Sequence, residues 1–292
     1  MKTRTKAEVF LLLVTLIWGS TFAITKSALE DASPFVYTSL RFILASILFG
    51  VFSFPKLKSL NLRSFVKGGI LGVLLFIGFA TQTVGLLYTT ASKSAFLTAM
   101  MVVFTPLCQV LIERKFPKLG NIIGVLLVTI GLYFLTSPSG SEFNFGDGLT
   151  LICAVSFGFY IVLLDMFSQD CDASHLTAMQ FFTTAILATV AGLGFEDRRV
   201  EFTRPLLLSL AYLSVFASVI ALSVQARYQK FTTPTRAAVI FSIEPVIAAV
   251  FAYSMLGERV GGQGILGAGI IMCGVLVSEF SDLIFRSAEP QR

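Results

Sequence analysis

Ten apolar runs of about 20 residues each, bounded by charge, Pro or Gly, organise this chain from end to end. They lie at about 8–28, 35–54, 66–90, 94–112, 119–136, 148–166, 174–194, 205–226, 236–256 and 264–284. An α-helix rises 1.5 Å per residue, so a run of roughly 20 residues matches the ~30 Å hydrocarbon layer of a bilayer. The pattern predicts an all-α membrane protein with ten transmembrane helices. In 292 residues, ten such spans leave about nine residues for each loop or tail, too few for a separate soluble domain.

Composition narrows the class. Apolar residues make up 55% of the chain and charged residues only 13%, where a soluble domain carries about 25%. With 29 Phe and a mean hydropathy of +0.83, the chain lacks the charged shell that a water-soluble enzyme needs. The net charge of +5 does not point to nucleic acid, because the basic residues fall between the apolar runs and form no basic face. They speak to topology instead, since Lys and Arg resist translocation. With the N-terminus inside, 15 of the 22 basic residues face the cytoplasm, six face the other side, and Arg41 lies within a run. Both termini are expected in the cytoplasm, in a multi-pass protein of the cell membrane.

The two halves of the sequence resemble each other at an offset of 139 residues. Trp18-Gly19 falls on Phe157-Gly158, Arg41-Phe42 on Gln180-Phe181, and Thr105-Pro106 on Glu244-Pro245. The last run of each half carries glycines seven apart, Gly124 with Gly131 and Gly267 with Gly274, set four residues further from the proline in the second half. Four residues are about one helical turn, so the helix face is kept. The halves are expected at 1–138 and 139–292. Each has five spans, an odd number, so the second enters the membrane upside down relative to the first: an inverted repeat. The start, MKTRTK before an apolar run, has the layout of a secretory signal peptide. Its parallel with the residues around 158 leads us to expect that it is retained.

The stretches LIWGSTFAITK at 16–26, TSLRFILAS at 38–46, TTASKSAFLTAMMVVFTPL at 89–107 and TTPTRAAVIFSIEPVIAAVFAYSMLGER at 232–259, with the glycine-spaced last spans, resemble the drug/metabolite transporter superfamily. The closest likeness is to its ten-helix group with two EamA-type repeats. That resemblance implies a secondary carrier of small metabolites, such as an exporter of amino acids or related amphipathic compounds, working by alternating access, and not an enzyme. The first half departs from the usual pattern after Pro106, with LIERKFPK where the second half has SMLGERVG.

A carrier needs polar groups near the bilayer centre, and repeat interfaces with broken helices are where they are found. Glu244 lies about eight residues into its run, about 12 Å deep, and Pro245 behind it removes a backbone N–H and permits a kink. Two readings stand side by side: a binding or proton-coupling carboxylate, or a group that only hydrogen-bonds the freed backbone. Arg41 either binds a substrate carboxylate, neutralises Glu244 across the cavity, or snorkels to the outer interface. Trp18, Ser20, Thr21, Gln82, Tyr88, Thr98, Tyr160, Gln180 and Tyr253 are further candidates to line a cavity, against the commoner roles of helix–helix bonding and interfacial anchoring. Gly68 with Gly72, and Gly120 with Gly124, sit at the small-residue spacing of close helix packing. FGDG at 145–148 reads as a loop in which Asp147 caps the next helix, and GERVGGQG at 257–264 as a turn, since it lacks the GK[ST] ending of a phosphate loop.

Cys108, Cys153, Cys171 and Cys273 are widely spaced and His175 is the one histidine, so neither a metal site nor a cofactor is expected. The expected partners are a small-molecule cargo, membrane lipids and, as a candidate coupling ion, the proton. Nucleic acid is not among them, and the oligomeric state stays open. An intramembrane enzyme or a membrane receptor remain the alternative classes. The first lacks a nucleophile–base pair or a second deep carboxylate. The second has no need of an inverted duplication.

Overall fold

A computed structural model describes residues 3–136, 143–258 and 261–284. Its helices are α1 (Thr3–Ala28), α2 (Pro34–Leu57), α3 (Leu62–Gly85), α4 (Ala91–Glu113), α5 (Leu119–Thr136), α6 (Phe145–Ser168), α7 (Ala173–Phe195), α8 (Arg204–Phe231), α9 (Pro234–Leu256) and α10 (Gly262–Ile284). These are the ten spans expected from the sequence, with ends shifted by a few residues. Eight of them are long and apolar enough to cross a bilayer, and α5 and α10 contain shorter apolar stretches. The chain is an all-α membrane protein. Phe52, Leu111, Phe195 and Ile265 are each more than two-thirds exposed, an outward apolar surface that water would penalise and lipid does not.

Local chemistry sets the helix ends. Asn61, Thr90, Thr203 and Thr233 accept backbone N–H bonds at the starts of α3, α4, α8 and α9. The FGDG loop is not a loop. Asn144 is the capping residue, its side chain and that of Asp147 bond each other's backbone N–H, and 145–148 form the first turn of α6. At the end of α9, Gly257 takes a φ of +68°, the left-handed conformation that glycine adopts without a steric penalty.

The packing shows the inverted repeat. Helix α1 packs on α9 as α6 packs on α4, α1 on α8 as α6 on α3, and α2 on α8 as α7 on α3. The pairs α2–α7, α4–α9 and α5–α10 lie across the approximate two-fold axis itself. The glycine pairs matched in sequence do matching work. A Cβ on Gly19 would lie 3.0 Å from the Glu244 carbonyl oxygen of α9, and one on Gly158 would lie 3.3 Å from the Thr105 nitrogen of α4. Since ten antiparallel spans return the chain to its starting side, the start of α1 and the end of α10 lie on one face, the terminal face. The α1–α2, α3–α4 and α9–α10 loops lie on the far face. The expected boundary between 138 and 139 lies outside the described residues.

Helices α5 and α10 pack through their glycines. A Cβ on Gly131 would meet the Gly267 oxygen and the Ile271 nitrogen, both at 2.7 Å, and backbone cannot swing aside as a side-chain tip can. Gly131→Leu is expected to cost about 1–3 kcal/mol through overpacking. Thermal unfolding in detergent measures it, with Gly269→Ala, where a new Cβ meets nothing within 4 Å, as the silent control.

On the terminal face Asp170, between α6 and α7, pairs with Lys67 at 2.8 Å and with Arg63 from α3. The Lys67 ammonium, with help from Cys171 and Arg63, holds this carboxyl below its ordinary range. A depressed carboxylate contributes stability that is complete above the unfolded-chain value of about 3.9 and is lost as pH falls through the lower folded value. Melting temperatures at pH 6 and at pH 3 should therefore differ more in the parent than in Asp170→Asn. Equal differences would remove this pair from the stability account.

Candidate functional site

Two helices are broken where the halves meet. Helix α4 carries a turn at Met100, and α9 carries one at Ser242 and Ile243. The first half of each packs on the second half of the other. Glu244 thus stands in the first turn of the second half of α9, next to Pro245, whose missing N–H costs nothing at a helix start. Broken helices at a repeat interface bring backbone ends and polar side chains to the middle of the bundle.

A central cavity of about 50 Å³ lies beside this break. It brings together Glu244, Arg41, Trp18, Thr21, Gln82, Thr98 and Tyr160 of the residues singled out from the sequence, and Phe79, Phe157, Phe241 and Gln225 line it with them. About 10–15 Å³ of such space holds one water, so the cavity has room for a few waters.

Arg41 is 5% exposed and does not reach the outer interface. Its guanidinium lies over the Phe79 ring, 4.6 Å from the centroid, and its Nε donates to Ser218 Oγ at 2.9 Å. Ser214 Oγ, one turn earlier on α8, donates to the Arg41 carbonyl at 3.1 Å. Both serines lie in a π-helical segment of α8, Leu213–Ile220, a widened turn of the kind that recurs at functional sites. Among the described residues the buried Arg41 Nη2 atom has no hydrogen-bond partner. Glu244 is 6% exposed, and no hydrogen bond from the described residues reaches its carboxylate. Among the described residues no ion pair joins Arg41 to Glu244, although both line the same space.

The walls are held by polar bonds of their own. Gln82 Nε2 donates to Thr98 Oγ1 at 3.0 Å, Trp18 Nε1 to the Ala217 carbonyl at 3.0 Å, and Thr21 Oγ1 to the Trp18 carbonyl at 2.8 Å. Tyr160 OH donates to Gln180 Oε1 at 3.0 Å, which places Gln180 one layer behind the wall with its Nε2 unpartnered. Ser20 lies elsewhere, bonded to the Ile17 carbonyl and to Tyr212 OH. Tyr88 and Tyr253 are 55% and 61% exposed, on the surface and away from the cavity. Gln225 was readable as a polar residue in the eighth apolar run. The aromatic residues of the wall were not, since 29 Phe offer no contrast.

A second, larger cavity of about 610 Å³ opens on the terminal face. Gln109, Glu113 and Lys115 from the end of α4, Asp165 from α6, and Thr232–Pro234 before α9 line it.

Comparison with known proteins agrees with this architecture. A transporter from Archaeoglobus fulgidus, uncharacterised by name, is 35% identical over 94% of this chain and 86% of its own. YoaV of Bacillus subtilis, also named as an uncharacterised transporter, is 23% identical over 94% of this chain and 97% of its own. An S-adenosylmethionine/S-adenosylhomocysteine transporter of Chlamydia muridarum is 27% identical over 91% of this chain and 89% of its own. A solved crystal structure superposes with a TM-score of 0.79 at 17% identity, over 98% of this chain and 99% of the other, and shares the fold. The family model described as the EamA-like transporter family matches residues 5–137 and 144–280, one block in each half. With the packing above, these matches place the chain in the EamA-like transporter family.

Proposed function

We propose that the chain is a secondary carrier of small amphipathic zwitterions, amino acids or related compounds, which it exports from the cell by alternating access. The observation that carries this reading is the central cavity, where a guanidinium N–H and a carboxylate of opposite charge both lack hydrogen-bond partners among the described residues, between aromatic walls. A zwitterion supplies both missing partners: its carboxylate accepts from the free end of the Arg41 guanidinium, and its ammonium meets Glu244. The name of the chlamydial relative, an S-adenosylmethionine/S-adenosylhomocysteine transporter, supports the class, since both compounds carry an amino-acid group. With cargo absent, a proton is the partner proposed for Glu244. The two halves, divided between 138 and 139, act as the moving bodies. No nucleotide-binding motif is present in the sequence, so an ion or cargo gradient supplies the drive. The excess of basic residues on the terminal face supports placing that face in the cytoplasm of a cell-membrane protein.

Counterflow into proteoliposomes tests the proposal. A panel of labelled amino acids, sulfonium amino acids and carboxylate-free amphipathic amines should give exchange with the zwitterions. Exchange confined to the amines, or with none of the panel, would sink it.

A further inference from the structure

The inverted repeat places two copies of one polar motif at opposite ends of the bundle. TTASK at 89–93 starts α4, and TTPTR at 232–236 starts α9. On the far face, Thr89 Oγ1 donates to Asp147 at 2.8 Å, and Lys93 pairs with the same carboxylate at 2.6 Å. On the terminal face, Thr232 Oγ1 donates to Glu8 at 3.2 Å, and Arg236 pairs with it at 3.4 Å. Thr90 and Thr233 cap their helices alike. Up to this point the two ends are equivalent.

They differ in what holds them shut. Glu258, just past α9, reaches the start of α4 and accepts from the backbone N–H of Ala91 at 3.0 Å and of Ser92 at 3.1 Å, and from the Ser92 hydroxyl. Lys26, at the end of α1, donates to the Leu86 and Thr89 carbonyls that close α3. An anion thus sits on a helix N-terminus and a cation on a helix C-terminal end, each the sign that its helix favours. Together they clamp the α3–α4 connection between α1 and α9.

The counterparts on the terminal face do not make this clamp. Glu113 stands in the place of Glu258, but Pro234 stands for Ala91 and has no N–H to give. Gln109 takes both remaining partners, donating to Glu113 at 3.2 Å and accepting from Thr235 Oγ1 at 2.9 Å. Asp165 stands in the place of Lys26, and a carboxyl has at most one proton to donate and cannot bond two carbonyls at once as the ammonium does. The space the clamp would fill is the 610 Å³ cavity.

We infer that Glu258 and Lys26 form the latch that holds the central cavity closed toward the far face, and that release of Glu258 from the α4 N-terminus opens it there. The inference rests on the alternating-access reading and supplies its far gate, with both residues acting through helix position and touching no cargo.

Accessibility of a cysteine to a membrane-impermeant thiol reagent reads the gate directly. Thr21→Cys places a probe in the cavity wall, in a chain whose Cys108, Cys171 and Cys273 are replaced by Ser. The buried native Cys153 stays as a sentinel for unfolding, and Phe202→Cys, in the exposed α7–α8 loop, identifies the far side. From that side the parent should label slowly. Lys26→Met and Glu258→Ala should label about tenfold faster or more with Cys153 still unreactive, and Glu258→Gln, which keeps one acceptor, should fall between. Parent-like rates in Glu258→Gln and Lys26→Met together would overturn the latch. Faster labelling in a protein that exchanges no zwitterion would leave the latch standing and remove the proposed cargo.

Discussion

Glu244→Gln is expected to lower zwitterion counterflow by about 10- to 100-fold while leaving the protein folded. The carboxylate is 6% exposed at the break in α9 and meets no hydrogen-bond donor among the described residues, so removing its charge deprives the protein of no contact. The cargo does lose one. A charge-assisted hydrogen bond contributes about 1.5–3 kcal/mol, and each 1.4 kcal/mol is a factor of ten. Its place in the first turn of a half-helix adds a directional reason, because that end favours an anion and holds the group ready. Gln keeps the shape and can still donate to the Phe241 carbonyl that Pro245 leaves free, so a purely structural role would survive the change. Initial exchange rates across a pH series separate the two. A Glu244→Gln rate and pH profile matching the parent would leave only backbone hydrogen bonding for this residue.

Much of this was legible before any coordinate. The ten apolar runs gave the spans because a bilayer permits so few alternatives, and the odd span count per half forced the inversion. Glu244 and Arg41 stood out because charge inside an apolar run is rare. The misjudged features were those that depend on partners. Tyr88 and Tyr253 have the same composition as a wall residue, and only the helix rotation sends them to the surface. Gln180 matches Arg41 in the repeat, yet it sits behind Tyr160 instead of on the cavity. FGDG looked like a loop because two glycines weaken a helix, but the reciprocal Asn144–Asp147 cap outweighs them. The π-helical turn of α8, which packs on α2, leaves no trace in the apolar pattern of LSVFASVI. The two copies of the motif were present as TTASK and TTPTR, with Glu-Arg at 113 and 258, but their inequality rests on one proline and on the exchange of Lys26 for Asp165. A pattern of apolar and polar positions does not weigh such changes.

Arg41→Gln is expected to discriminate between cargoes. Its Nε is committed to Ser218 and its face to Phe79, and among the described residues no hydrogen bond engages Nη1 or Nη2, which leaves the end of the guanidinium for a carboxylate. Removing it should raise the apparent KM for a zwitterionic cargo by about 10- to 100-fold, the worth of one charge-assisted hydrogen bond. The same cargo carried as its carboxamide, with no anionic end to lose, should change by less than about threefold. Arg41→Lys should behave like the Gln variant for the zwitterion. An ammonium cannot keep the Ser218 bond, lie flat on Phe79 and present a third direction at once, as the planar guanidinium does. A structural arginine gives a different result. If Arg41 only ties α2 to the π-helical turn of α8, its loss weakens the assembly for every cargo alike, and the acid and the amide fall together. The ratio of the two KM changes therefore decides the role, whatever the absolute activity of the variant.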